Sequence, residues 1–204
     1  MSLWELEERC WAQGRSLVCG ADEAGAGPLA GPVYAAAVIL PRHLELMWLN
    51  DSKQVTPKRR EILFEEIKAQ AVAWSVASVD EGTIDDINIL NARLLAMERA
   101  IRALEPAPDY ALIDGNRDKG ITLPHETAVK GDSRSASIAA ASILAKVSRD
   151  RYMEEMARQY PEYRFERHKG YPTKLHYEML KKYGPSPIHR RSFLKKFYAG
   201  EAGT

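Results

Sequence analysis

Leu17-Val18-Cys19-Gly20-Ala21-Asp22-Glu23-Ala24-Gly25-Ala26-Gly27-Pro28-Leu29-Ala30-Gly31-Pro32, followed by Val33-Tyr34-Ala35-Ala36-Ala37-Val38-Ile39-Leu40, is the stretch that decides the fold. The apolar run from Leu17 reads as a buried strand that emerges into two carboxylates, Asp22 and Glu23. A glycine-rich turn comes next, and Val33 to Leu40 reads as a second, strongly apolar strand. The spacing Gly25-x-Gly27-x-x-x-Gly31 invites a dinucleotide-binding reading, but that fingerprint needs a helix directly after the glycines. Pro28 and Pro32 lead into strand residues instead, so the unit is strand–turn–strand. The glycines leave backbone N–H groups bare beside Asp22 and Glu23, where they suit a phosphate or a sugar hydroxyl. A plain tight turn between two strands fits the same residues.

Upstream, Ser2-x-x-Glu5 is a capping-box pattern for a short helix closing at Gly14. Downstream, Thr56-Pro57 starts a helix with Leu63 and Ile67 on its apolar side. Val72 to Val79 reads as a strand, and Thr83 as the cap of a helix reaching about Leu104, where Pro106-Ala107-Pro108 breaks it. Tyr110 to Asp114 is a short apolar strand ending in a carboxylate, and Ile121 to Lys130 is irregular or a short strand. Ser133 to about Tyr160 is a long alanine-rich helix. Pro172 opens a helix ending at Gly184, and Ser192 to Tyr198 forms a last helical piece. Strands first, then alternating helices and strands, then helices imply an α/β fold, with a central mixed sheet flanked by helices. The expectation is one domain over residues 1–204, with a helical C-terminal extension from about residue 160.

Hydrophobic residues at 45% and charged residues at 28% exclude a disordered or fibrous chain. No apolar run approaches the roughly 18 residues of a membrane span, and the N-terminus lacks an apolar signal core, so a cytoplasmic protein is expected, without a membrane partner. Cys10 and Cys19 fit no metal or redox spacing and read as reduced packing residues. The net charge of +1 hides an asymmetry: residues 144–198 hold 14 Lys+Arg against 6 Asp+Glu, the remainder 15 against 22. A basic flank beside a carboxylate-rich core suits an anionic substrate over bound cations, although a solvated basic surface explains the charge equally well.

The chemistry gathers on carboxylates at strand ends: Asp22 and Glu23 after one apolar run, Asp114 after another, Asp132 ahead of the long helix. Buried carboxylates need compensation, and hard oxygen ligands suit Mg²⁺ or Mn²⁺. Each acid alone is equally a helix cap or a turn residue, and Asp132 competes as cap of the helix from Ser133. Asp51-Ser52-Lys53 and His168-Lys169-Gly170-Tyr171-Pro172-Thr173 are candidate phosphate contacts, with Tyr171 able to stack on a sugar or base and Lys169 to face the backbone. The five histidines show no zinc spacing, and no Ser/His/Asp or Cys/His nucleophile pattern stands out.

In order along nearly the whole chain, Gly20-Ala21-Asp22-Glu23-Ala24-Gly25, Pro28-Leu29-Ala30-Gly31-Pro32, Asp51-Ser52-Lys53, Ile113-Asp114-Gly115, Lys130-Gly131-Asp132, Ser137 to Val147, Arg149-Asp150, His168 to Thr173 and Gly184 to Arg190 resemble ribonuclease HII, the bacterial type 2 ribonuclease H. The resemblance implies the ribonuclease H-like fold. It implies an endoribonuclease that hydrolyses the RNA strand of RNA–DNA hybrids and incises 5′ of single ribonucleotides in duplex DNA, leaving 5′-phosphate and 3′-hydroxyl ends. It implies Asp22, Glu23, Asp114 and Asp132 as catalytic, metal-binding carboxylates for Mg²⁺ or Mn²⁺. Gly25, Ala26, Gly27, Lys53, Lys169 and Tyr171 become substrate-binding residues, with Tyr171 sensing the RNA–DNA junction. Nucleic acid is the expected partner and a monomer the expected state. Ala26 departs from the family's Gly-Arg-Gly element, whose arginine is missing here, so weakened activity is an expectation too. A hybrid-binding protein without catalysis and another nuclease on the same fold remain the alternatives.

Overall fold

The computed structural model describes residues 2–49 and 55–201. Five strands make one mixed sheet: β1 (Val18–Ala24), β2 (Val33–Ile39), β3 (Ala73–Val79), β4 (Tyr110–Asp114) and β5 (His125–Ala128). The strand order is β3-β2-β1-β4-β5; β1 pairs antiparallel with β2 and parallel with β4, and β4 parallel with β5. Helices α2 (Pro57–Gln70) and α4 (Ala136–Gln159) cover one face, and α3 (Glu81–Arg102) covers the other. The short α1 (Glu5–Ala12) packs near the start of β1. Beyond α4 lie α5 (Phe165–His168), α6 (Lys174–Tyr183) and α7 (Arg191–Glu201). Among the described residues no helix is long and apolar enough to cross a membrane. Cys10 and Cys19 are free and buried.

Strand alternation sets the two faces of β1. Cys19 and Ala21 join the apolar cluster under α3, while Gly20 faces α4. A Cβ at Gly20 would overlap the Ile138 amide nitrogen and come within 2.8 Å of Ile138 Cα. The alanines of α4, Ala136, Ala140, Ala141 and Ala145, are buried against the same face, so small residues on both partners allow a close approach.

Several helix starts differ from the sequence reading. The cap of α3 is Asp80, whose Oδ1 accepts the Thr83 N–H at 2.8 Å, so Thr83 lies inside the first turn. Ser2 is no capping-box residue: its hydroxyl accepts from Trp4 N–H, one residue short of the helix. Helix α6 starts at Lys174 with Thr173 as cap, because Pro172 precedes the cap position. The long helix begins at Ala136, where the Ser135 hydroxyl accepts the Ile138 N–H at 3.0 Å. Buried Glu7 of α1 reinforces that start by accepting from Ser135 Oγ and Ser137 N–H. Asp132 is therefore relieved of a capping role and sits in a separate 3₁₀ turn, Gly131–Ser133.

Candidate active site

Strand register brings the first two carboxylates together. In the parallel pair β1·β4, Ala21 stands opposite Ile113, so the next step along both strands sets Asp22 beside Asp114. Asp22 shares the α4 face with Gly20, whereas Glu23 turns to the α3 face. There Arg93 of α3 donates from Nη1 to Glu23 Oε1 at 3.0 Å. Asp114 Oδ1 accepts the Gly131 N–H at 2.8 Å, and that bond delivers the chain to Asp132. All four carboxylates line one cavity of about 220 Å³, together with Ala24, Gly25, Ala26, Gly27, Lys146 and Tyr171.

Like charges around so small a cavity raise one another. Burial, then the charges of Glu23, Asp114 and Asp132, hold the Asp22 carboxyl well above the usual range, although its Oδ1 accepts the Glu23 N–H. Glu23 is raised by burial while Arg93 opposes the shift. An oxygen-only donor set with uncompensated negative charge fits a hard divalent cation. Among the described residues no three His, Cys, Asp or Glu side chains gather into a ready cation cage. Glu23 is drawn aside by Arg93, and Asp114 by the Gly131 amide.

The glycine turn has a backing that composition hides. Arg149 and Arg190 have no exposed surface. Arg190 donates from Nε, Nη1 and Nη2 to the carbonyls of Gly31, Ala26 and Gly25 at 2.9, 3.1 and 2.7 Å. Arg149 donates likewise to Pro32, Lys169 and Ala30 at 3.3, 3.1 and 3.1 Å. Because a trans peptide sets N–H opposite C=O, the N–H groups of Ala26 and Gly27 point away from Arg190. Gly25 has φ +93°, and a Cβ there would overlap Arg149 Nε, so the position accepts only glycine. Burial, and then the charge of Arg149, pull Arg190 down to about 9.

Tyr171 stands beside Gly27, 39% exposed, with the Arg149 Cζ 5.7 Å from its ring centre. Lys169 is not in this cavity. Its Nζ is bound to Glu154 at 2.9 Å, and it lines a neighbouring groove between α2 and α4 that Lys146 also borders. Lys53, with Asp51 and Ser52, lies outside the described residues. Sequence reasoning did not single out Lys146, Arg93, Arg149 or Arg190 as site residues. An arginine or lysine in a helical segment ordinarily reads as solvated surface, and only the fold reveals which are buried. Lys146 donates to Asp150 at 2.6 Å and is lowered by burial.

Comparisons with known proteins agree with this architecture. The sequence model of the family described as Ribonuclease HII matches residues 19–196. A ribonuclease HII of Caldicellulosiruptor saccharolyticus is 55% identical over 192 residues, covering 94% of each chain. One of Dechloromonas aromatica is 54% identical over 177 residues, covering 87% of this chain and 90% of that one. Among solved structures, the ribonuclease H2 of Pyrococcus horikoshii superposes with a TM-score of 0.71 at 28% identity, covering 87% of this chain and 93% of that one. The ribonuclease HII in the Archaeoglobus fulgidus complex with PCNA gives 0.74 at 26% identity, covering 86% and 94%.

Proposed function

This chain belongs to the ribonuclease HII family and is a ribonuclease H endonuclease, and from that premise we propose that it hydrolyses the RNA strand of RNA–DNA hybrids and incises 5′ of single ribonucleotides in duplex DNA. Asp22, Glu23, Asp114 and Asp132 are the groups that hold divalent ions, Mg²⁺ or Mn²⁺. The observation that carries this reading is the common cavity of these four acids, the glycine turn and Tyr171. Bound there, divalent ions supply an activated water and neutralise charge on the leaving 3′ oxygen, so that the products end in 5′-phosphate and 3′-hydroxyl.

The chain's own residues bind and orient the substrate. The outward N–H groups of Ala26 and Gly27 suit a phosphate oxygen or the ribose 2′-hydroxyl, a group that only the ribonucleotide carries. The half-exposed Tyr171 ring offers a stacking surface for the neighbouring sugar or base. The basic helical segment after residue 160 tracks the phosphate backbone beyond the cleaved link, within a single catalytic domain over the chain. Lys169, tied to Glu154 beside the adjacent groove, suits a phosphate outside the cavity.

The test is cleavage of a duplex carrying one ribonucleotide, and of an RNA–DNA hybrid, with Mg²⁺, with Mn²⁺ and with a chelator. Incision 5′ of the ribonucleotide, abolished by the chelator and by Asp114→Asn, is expected. Cleavage that survives the chelator, or no incision of either substrate, overturns the reading.

A further inference from the structure

We propose that Ser186, His189 and His176 form a one-directional hydrogen-bond relay that positions Tyr171 at the mouth of the carboxylate cavity, with His176 as the positioning residue. The proposal rests on the reading above that Tyr171 meets the substrate.

The direction of the relay follows from its one irreversible end. The Ser186 backbone N–H can only donate, and it points at His189 Nδ1 at 2.9 Å. Nδ1 of His189 is therefore the acceptor, and the proton of the neutral ring sits on Nε2. That Nε2 faces His176 Nε2 at 2.9 Å, so His176 accepts there and carries its own proton on Nδ1. Nδ1–H of His176 then donates to the Tyr171 carbonyl at 3.0 Å. Each ring uses one donor and one acceptor, and neither is left over. The relay requires both rings neutral, and burial with mutual proximity pulls His176 down to about 4 and His189 to about 3.

The remaining contacts show what the relay steadies. The Tyr171 carbonyl has one other donor, the Thr173 N–H two residues on, which ties it only to its own loop. His168 stacks on His176 with centroids 4.3 Å apart, accepts the Gly170 N–H at Nδ1 and reaches the Tyr163 carbonyl from Nε2. The Gly170 carbonyl accepts the Leu29 N–H, which seats the loop on the glycine turn. His189 and Ile188 also pair with that turn, through the bridge Ala30↔His189 and the bond from Gly31 N–H to the Ile188 carbonyl. The relay thus spans two strips of chain, residues 168–171 and 186–190, that both grip the turn beside Asp22 and Glu23. Buried imidazoles are a costly way to fill space. This network ends on the backbone of the residue whose ring is exposed at the cavity.

Two conservative variants separate the links. In His176→Asn the amide nitrogen takes the place of Nδ1 and keeps the bond to Tyr171. In His176→Gln the amide oxygen takes the place of Nε2 and keeps the bond from His189 while losing Tyr171. The proposal expects His176→Gln to lower kcat/KM on the single-ribonucleotide duplex about tenfold, chiefly through KM, and His176→Asn to stay within about twofold of the parent. In a Tyr171→Ala background His176→Gln should cost no further cleavage, although its effect on melting temperature persists. Equal losses for both variants, or a loss that adds fully to Tyr171→Ala, make His176 merely structural and overturn the proposal. Tyr171→Ala with normal cleavage refutes instead the reading of Tyr171 that the proposal rests on. Imidazole ¹⁵N spectra read the relay separately: Nδ1–H in His176 and Nε2–H in His189 are expected, and the reverse tautomer in either ring overturns it.

Discussion

Gly20→Ala tests how the sheet carries the site. The glycine lies in β1, and an added methyl overlaps the Ile138 amide nitrogen and sits 2.8 Å from Ile138 Cα. These are backbone atoms at the start of a 24-residue helix, so no side chain can rotate out of the way. Ordinary contact begins at 3.4 Å, so α4 must retreat by at least 0.6 Å at that point. Overpacking of this kind costs about 1–3 kcal/mol, and more where backbone must move. Alanine is otherwise the better strand residue by about 0.5–1 kcal/mol, which offsets a part. A net loss of about 2–3 kcal/mol lowers the melting temperature by about 4–12 °C in a chain of this size. Cleavage should fall as well, because the retreating helix displaces Lys146 and the Asp132 turn that precedes it. Gly14→Ala is the control. Its φ is +84° but nothing lies within 4 Å, so it suffers only the backbone strain of about 1–2 kcal/mol and keeps full activity. Thermal melts and single-turnover cleavage of the three proteins decide the matter. A Gly20→Ala protein that melts with the parent and cleaves normally would refute the close packing of β1 on α4.

Three further outcomes are expected. Asp22→Asn should abolish cleavage yet raise the melting temperature in chelator at pH 7, since burial and three neighbouring acids penalise the Asp22 charge; a less stable variant contradicts that electrostatic picture. Ala26→Arg should raise kcat/KM on a single-ribonucleotide duplex about tenfold to a hundredfold at fixed low salt, by adding a charge-assisted bond of about 1.5–3 kcal/mol at the cavity wall, with no change in melting temperature; equal efficiency means the backbone donors suffice. His176 and His189 both have folded values depressed below 6.5, so the unfolded chain binds protons first, and stability is lost as pH falls below about 6.5. From pH 7 to pH 5 each contributes about 2 kcal/mol of that loss, measurable by urea titration, and an equally steep slope in His189→Asn would count against it.

Much of the sheet is legible in residues 17–40, because an apolar run, a glycine turn and a second apolar run allow little besides two paired strands. The strands at Val33, Ala73 and Tyr110, and the cap at Thr56, follow from periodicity and local chemistry that act over a few residues. The four carboxylates are legible for the same reason, as charges where buried segments end. Cap choices at Asp80, Ser135 and Thr173 were less so, since several polar residues near each helix start compete and tertiary packing selects among them. Partnership across long separations is what only the tertiary structure decided. Asp22 meets Asp114 because a parallel register fixes which residues stand side by side, and no local pattern encodes that register. Arg149 and Arg190 read as solvated cations until the fold wraps the turn's carbonyls around them. His176 and His189, without any metal spacing, become a directed pair only where α6 and the segment before α7 converge. Short-range sterics and hydrophobic patterning are written along the chain. Burial, proton placement and shared electrostatics belong to groups brought together from distant positions, and exist only once the chain has closed on itself.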